Sequence, residues 1–328
     1  MINNYFEMTY KLDSKDWKIL YQLDIDARQS NSEIGKKIKS SKEFVNYRIK
    51  RLIDEGIIKG FYTVIDTFKL GYLSCRFFVK LKNDTPKNEK EILDYFIRNS
   101  KYWWVDSISG FRNFGVVSWL KSIDDFQEEK EAFMKKFKNK IMEAQQSIYT
   151  RFYIYNREYL SNKKIRETKG FILKGSQEIK LENTDYNILK NIANNAKKPI
   201  TEIAQELKTT SMVVMYRIKK MKEQKIILGF RAMIDLSKIG YYWYKIEFEL
   251  EKYEVKKDLL SYFQVHPNIV YAYETIGGPD LEVELEVRSY EEFKSILDDI
   301  REKYGESIRN YEHMLWYKEH KLTFMPDI

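Results

Sequence analysis

Apolar residues fall at helical spacing three times in quick succession near the start of the chain. Ile19, Leu20 and Leu23 share one face of a first helix that Asp13 or Ser14 can cap. Ile34 and Ile38 mark a short second helix with Ser32 as its cap, and Val45, Ile49 and Leu52 mark a third, capped by Ser41. Only Lys39 and Ser40 separate the second and third helices, so the two cross through a tight turn as a helix-turn-helix. The period then shortens. Ile57, Ile58 and Phe61 belong to a β-rich run that leaves the helical unit as a connecting strand. Beyond it, strand patterns near 73–81, 103–109, 114–120 and 148–155 are interrupted by two amphipathic helices. One carries Ile92, Leu93, Phe96 and Ile97; the other carries Phe126, Phe133, Phe137 and Ile141. The order β-α-β-β-α-β is the split βαβ of ferredoxin-like domains.

The whole pattern then repeats. Leu12–Tyr72 aligns without a gap on Leu181–Tyr241 at a shift of 169, bringing Asp16, Ile19 and Leu20 onto Asp185, Ile188 and Leu189, and Tyr47–Lys50 onto Tyr216–Lys219. Roughly a third of the positions are identical, which marks the duplication of a whole module and not of a short solenoid unit. The second copy continues with strand patterns near 242–250, 270–276, 281–287 and 308–317 and with helical faces at Leu259, Leu260 and Phe263 and at Phe293, Ile296 and Ile300. The expected fold class is therefore α+β: helix-turn-helix units at 11–66 and 181–235, ferredoxin-like units at 67–160 and 236–328, and a linker at 161–180. In that linker Phe171–Leu173 is apolar enough to dock. Each amphipathic sheet must cover an apolar face, and its nearest relative is tethered to it, so the two sheets are expected to face each other as a pseudo-two-fold pair.

Composition changes this picture in three ways. The 328 residues carry 57 Lys and Arg against 49 Asp and Glu, a net +8, which suits an anionic partner or simply a solvated lysine-rich surface. The excess is concentrated: 11–66 holds 12 basic against 9 acidic side chains and 180–235 holds 11 against 6. Cys75 is the only cysteine, in an apolar stretch, which excludes a disulfide framework and a Cys-rich zinc site and fits a reducing cytoplasm. The only histidines are His266, His313 and His320, so a histidine metal site in both halves is excluded, and no metal or cofactor is expected. With no run of 18 apolar residues and no leader pattern in Met1–Tyr10, the expectation is a soluble, cytosolic protein without a membrane partner.

Leu12-Asp13-Ser14-Lys15-Asp16-Trp17-Lys18-Ile19-Leu20, its counterpart Leu181–Leu189, Arg48–Leu52, Glu55-Gly56-Ile57-Ile58 and Gly277-Gly278-Pro279-Asp280 stand in an order that resembles the Lrp/AsnC family of transcription regulators. The resemblance spans nearly the whole chain, twice. It implies that each ferredoxin-like unit is a RAM domain, the small-molecule-binding module of that family, and that one chain holds both halves of the usual dimer. It also implies double-stranded DNA as partner, a small effector such as an amino acid, and scope for further self-association through the RAM domains.

With the apolar stripe of each third helix turned inward, Lys42, Glu43, Asn46, Tyr47 and Lys50 face outward in copy one, and Ser211, Met212, Met215, Tyr216 and Lys219 in copy two. Such a helix lies in a major groove, early residues at base edges and flanking cations on phosphates. Asn46 suits adenine, while Lys50, Arg51, Lys219 and Lys220 suit phosphate. Tyr47 and Tyr216 read equally well as half-buried packing residues. Glu43 opposes phosphate unless it accepts from a cytosine amino group. Because the two helices differ, an asymmetric site is expected.

In the resembled family the effector lies near the hairpin that Gly277, Gly278 and Asp280 match; copy one has Gly110 and Asn113 there, and turn chemistry alone also explains the motif. No catalytic residue stands out. Sirohaem decarboxylases resemble the same architecture, but their chemistry is tied to a histidine-containing segment, and here no histidine precedes His266. A non-DNA protein-interaction module is the remaining alternative.

Overall fold

The computed structural model describes residues 11–166, 168–175 and 177–326; Met1–Tyr10, where no leader pattern is found, lies outside them. In copy one, α1 (Ser14–Ile25), α2 (Asn31–Ile38) and α3 (Lys42–Asp54) form the helical unit, and β1 (Ile58–Ile65) leaves it. Asp13 caps α1 and Ser41 caps α3 as the sequence predicts. The cap of α2 is Ser30 and not Ser32, because Glu33 stands three residues on and closes a reciprocal capping box with it.

The ferredoxin-like unit follows as β2 (Leu73–Leu81), α4 (Pro86–Arg98), β3 (Tyr102–Ser109), β4 (Phe114–Leu120), α5 (Ile123–Phe137) and β5 (Ile141–Ile154). Ile141, expected on the helical face, instead opens β5, since a short 3-10 turn at Lys138–Lys140 ends the helix first. After β6 (Phe171–Lys174), copy two supplies α6 (Asn183–Ala193), α7 (Ile200–Glu206), α8 (Ser211–Glu223), β7 (Ile227–Ile234), β8 (Tyr242–Leu250), α9 (Lys256–Val265), β9 (Ile269–Ile276), β10 (Leu281–Val287), α10 (Tyr290–Tyr304) and β11 (Ile308–Leu322).

Both ferredoxin-like sheets have the same internal order, β5-β2-β4-β3 and β11-β8-β10-β9. They do more than face each other. β3 pairs with β11 and β5 pairs with β9, so eight antiparallel strands close into one barrel whose two seams are both inter-copy. The expected reason for the pairing needs correction. Each sheet covers its apolar outer face with its own two helices: Phe77, Val79, Val105 and Val116 pack with Ile92, Phe96 and Phe133 in copy one, and Ile246, Phe248, Val283 and Leu285 pack with Leu259, Phe263 and Phe293 in copy two. The other face turns into the barrel. Along β10 this buries Glu282, Glu284 and Glu286 in the interior, although the alternation of the strand reads as a solvent-facing polar edge.

A second inter-copy device sits over one end. β1 and β7 pair antiparallel with each other, Thr63 opposite Phe230, and not with their own sheets. The ribbon ties the two helical units together: Ala27 N–H donates to Phe230 O at 2.8 Å and Ala196 N–H to Phe61 O at 2.9 Å. Leu20, Leu23 and Ile49 from one unit and Ile188, Leu189 and Ile218 from the other consequently belong to one continuous core. The linker docks, as its apolar run suggests, by adding β6 to β5.

Candidate nucleic-acid interface

The crossing of α2 and α3 rests on one backbone feature used twice. Lys39 has φ 54° and Lys208, its counterpart, φ 50°. This left-handed residue ends the second helix and lets the next amide turn back, Ser40 N–H to Gly35 O and Thr209 N–H to Ala204 O, both at 2.9 Å. A buried carboxylate then sets the third helix against the first. Asp16, fully buried, accepts from Arg48 at 3.2 Å and from Arg51 at 2.6 Å; Asp185 accepts from Arg217 at 3.2 Å. These ion pairs explain why Asp16 and Arg48 recur at Asp185 and Arg217. Burial opposes its charge, but Asp16 and Asp13 together hold the Arg48 guanidinium above its usual pKa.

The outward faces match the sequence-based sets. Lys42, Glu43, Asn46, Tyr47 and Lys50 are exposed on α3, as are Met212, Met215, Tyr216 and Lys219 on α8, with Ser211 half-buried. Tyr47 and Tyr216 are 62% and 64% exposed, so neither packs into the helical core. Asn46 Oδ1 accepts from the Asn31 amide at 3.1 Å, which holds its side chain at the surface. Arg51 and Lys220 are half-buried, and Arg51 spends its charge on Asp16 and on Glu55 at 3.7 Å; Lys50 is the more available cation. The exposed apolar run of α8, Met212, Val213 and Met215, contrasts with the polar face of α3.

At the hairpin, Gly277 takes φ 79° and Asp280 Oδ2 accepts from Leu250 N–H at 2.8 Å. Asn113 does the same work in copy one, accepting from Leu81 N–H at 2.9 Å. The acid and the amide are thus interchangeable as caps of a neighbouring strand end. Gly278 packs closely: a Cβ there would lie 2.6 Å from Thr275 Oγ1 and 3.1 Å from Ser147 Cβ.

The barrel interior holds what the sequence did not single out. Glu282 accepts a two-pronged pair from Arg76 and sits 2.6 Å from Lys245, which also reaches Glu284 at 3.2 Å. Arg112 pairs with Glu247 at 2.9 Å. Arg157 bridges Glu286 at 2.8 Å and Asp24 of α1 at 2.9 Å, and Asp24 also takes Arg231 of the ribbon. Burial alone would raise the Glu282 carboxyl, but Arg76 and Lys245 overcome it and bring it down to about 2. Above this network, beneath the β1/β7 ribbon, lies a cavity of about 1100 Å³ whose wall mixes aromatic rings, five indoles among them, with aliphatic, polar and charged side chains. The sole available signal was the alternation of acids along β10, and it points equally to water.

The winged helix-turn-helix DNA-binding family matches twice, over residues 12–59 and 181–227. The HTH-type transcriptional regulator FL11 of Pyrococcus horikoshii is 31% identical over 147 residues, 44% of this chain and 95% of that regulator. The chain belongs to the Lrp/AsnC family of transcriptional regulators. LrpB of Bacillus subtilis, another relative, is 28% identical over 143 residues, 44% of this chain and 93% of LrpB. These relatives each cover one copy's worth of length, so the Lrp/AsnC unit is present here in tandem. Among solved structures, the siroheme decarboxylase NirDL has the same fold across both copies: TM-score 0.64 at 12% identity, with 96% of this chain and 94% of that one covered. No helix among the described residues is long and apolar enough to cross a membrane.

Proposed function

We propose that this Lrp/AsnC protein is a sequence-specific DNA-binding transcription regulator that works as a single-chain counterpart of a dimer. The observation that carries the reading is the pair of winged helix-turn-helix units, each with an exposed third-helix face, fixed to one ribbon and one core. Lys42, Asn46, Tyr47 and Lys50 form the reading face of copy one, with Glu43 selecting against phosphate and for a base-pair donor. Met212, Met215 and Tyr216 give copy two a more apolar contact, with Ser211, Lys219 and Lys220 beside it and Arg51 held back in copy one. Because the two faces differ, the target is a non-palindromic site. Selection of bound fragments from genomic DNA, followed by titration of the enriched duplex at rising salt, tests this. A steep loss of affinity with salt and an asymmetric consensus are expected; absence of duplex binding at low salt overturns it.

A small effector belongs to the same proposal. At the hairpin, Gly277, Gly278 and Asp280 offer an acid that is already partly engaged by Leu250 N–H. Calorimetry with the common amino acids on the wild type and on Asp280→Asn decides whether the hairpin is a site: equal heats assign Asp280 to the turn alone.

The fold likeness to a siroheme decarboxylase favours one second reading, chemistry in the barrel cavity. None of the three histidines lines that cavity. Of its three cations, Lys59 is committed to Glu319 and Arg157 to Glu286 and Asp24, which leaves Lys318 alone for the several carboxylates of a tetrapyrrole. Incubation with sirohaem under reducing, anaerobic conditions separates the readings, because an unchanged absorption spectrum supports the regulator.

A further inference from the structure

Among the described residues, Asp106 is the least accounted-for buried acid. It lies on β3, is 1% exposed, and neither carboxylate oxygen has a hydrogen-bond partner, whereas the other buried acids of the barrel are paired with Arg or Lys. Strand alternation puts it on the interior face with Trp104 and Ile108, among the residues that line the cavity under the ribbon. Burial, reinforced by the Glu319 and Glu284 carboxylates, pushes its carboxyl well above the usual range against weaker pulls from the Trp104 indole and Lys59. A buried carboxyl without a hydrogen-bond partner carries a desolvation cost that its surroundings do not offset. Its place in the cavity wall points to a ligand.

The surroundings define what kind. Trp104 stacks on Trp243 with centroids 5.6 Å apart and on Trp316 at 5.3 Å, and Trp103 stacks on Trp119 at 4.9 Å, so five indoles wall the cavity that Asp106 enters. Indole faces carry negative quadrupole charge and attract cations, most strongly where water is excluded. No group of three or more His, Cys, Asp or Glu that could hold a metal occurs among the described residues, which argues against an inorganic ion. A volume of about 1100 Å³ takes an organic molecule of substantial size.

We propose that the cavity beneath the β1/β7 ribbon is a binding site for an apolar organic cation, its positive group held by Asp106 and the Trp104, Trp243 and Trp316 rings. The site is distinct from the hairpin of Gly277 and Asp280. It also has a route to the DNA-reading helices: Tyr62 and Val64 of β1 and Met233 of β7 line it, and these strands continue directly from α3 and α8. This regulatory step rests on the DNA-binding reading; the binding itself does not, and it is measured on the protein alone.

Five of the six tryptophans line the cavity, so intrinsic fluorescence reports occupancy directly. The full-length protein is titrated with phenyltrimethylammonium and with tetraphenylphosphonium, a small and a large permanent cation. Their controls are tert-butylbenzene and tetraphenylborate, of nearly the same shapes without the positive charge. The expected result is saturable quenching by at least one cation, tenfold or more tighter than its control, and a loss of tenfold or more in Asp106→Asn, with Asp124→Asn, an exposed α5 residue away from the cavity, unchanged. If neither cation outbinds its control on the wild type, the proposal is overturned, and this comparison stands even if Asp106→Asn fails to fold. It is equally overturned if a folded Asp106→Asn, checked by near-ultraviolet circular dichroism, binds as the wild type does. A cation that binds without altering affinity for the selected duplex leaves the site standing and removes only its coupling to DNA.

Discussion

Glu282 joins Arg76 of copy one to Lys245 of copy two and therefore pins the barrel from inside. Replacing it by Gln leaves two buried cations short of a partner, and a broken buried pair costs about 3–5 kcal/mol. The Glu282→Gln midpoint in urea should fall accordingly. The same residue sets part of the acid sensitivity: its carboxyl stands at about 2 when folded against 4.5 ordinarily, so its contribution is complete above pH 4.5 and disappears as pH falls towards 2. Glu284 works in the opposite sense, because burial raises its pKa and protonation relieves it. Urea midpoints taken at pH 7 and pH 3 should differ less in Glu282→Gln than in the wild type. Lys39 offers the converse test. Its left-handed backbone strains a side-chain-bearing residue, and Lys39→Gly should gain up to about 1 kcal/mol in the same assay, less any weakening of DNA contacts. Gly115 must stay small, since a Cβ there would fall 2.4 Å from the Trp316 ring; Gly115→Val should lower the midpoint by about 1–3 kcal/mol, the usual cost of overpacking.

At the level of elements, the reading proposed for α3 and α8 can be probed one helix at a time. Lys50→Ala should weaken binding to all duplexes alike and reduce the salt slope by about 1, while Asn46→Ala should relax preference at one base pair at a cost of about 1–3 kcal/mol, both measured by fluorescence anisotropy on the selected site and on point variants of it. Why these elements could be named from sequence is physical. Short helices with Asp and Ser caps and a two-residue gap leave one local solution, and repetition of Asp16 and Arg48 at Asp185 and Arg217 advertises a shared internal pair. The β-α-β-β-α-β order was legible for the same reason, because each helix shows its apolar face to its own sheet. What lay beyond reach were pairings between copies. Nothing local in Ile58–Ile65 says that its partner is Ile227–Ile234, and the acids of β10 alternate as they would beside water, so the barrel and its charged interior came only with the seams. Asp106 gave no signal for a related reason: its counterpart at the shift of 167 between these strands is Tyr273, so it falls outside the repeat.

For the molecule as a whole, the two seams and the ribbon mean that the copies are one cooperative body. A single proteolytic cut within 161–180 should leave both pieces together in gel filtration, separating only in denaturant; pieces that part under native conditions would contradict the closed barrel. Joining two copies in one chain also lifts the constraint that a homodimer imposes, where every interior residue must appear twice about the axis. Here Gly115 stands where its counterpart is Glu282 and Asp106 where it is Tyr273, each used once, although the Arg76 position recurs as the cation Lys245. The cavity beneath the ribbon is walled by both copies together, by Val64 of β1 and Met233 of β7 among others, and so belongs to the pair and not to either helical unit. One occupant per chain makes the response to concentration hyperbolic, with a Hill coefficient of one unless chains associate: such a regulator would work as a dimmer, whose output follows the cell's supply in proportion, and not as a toggle.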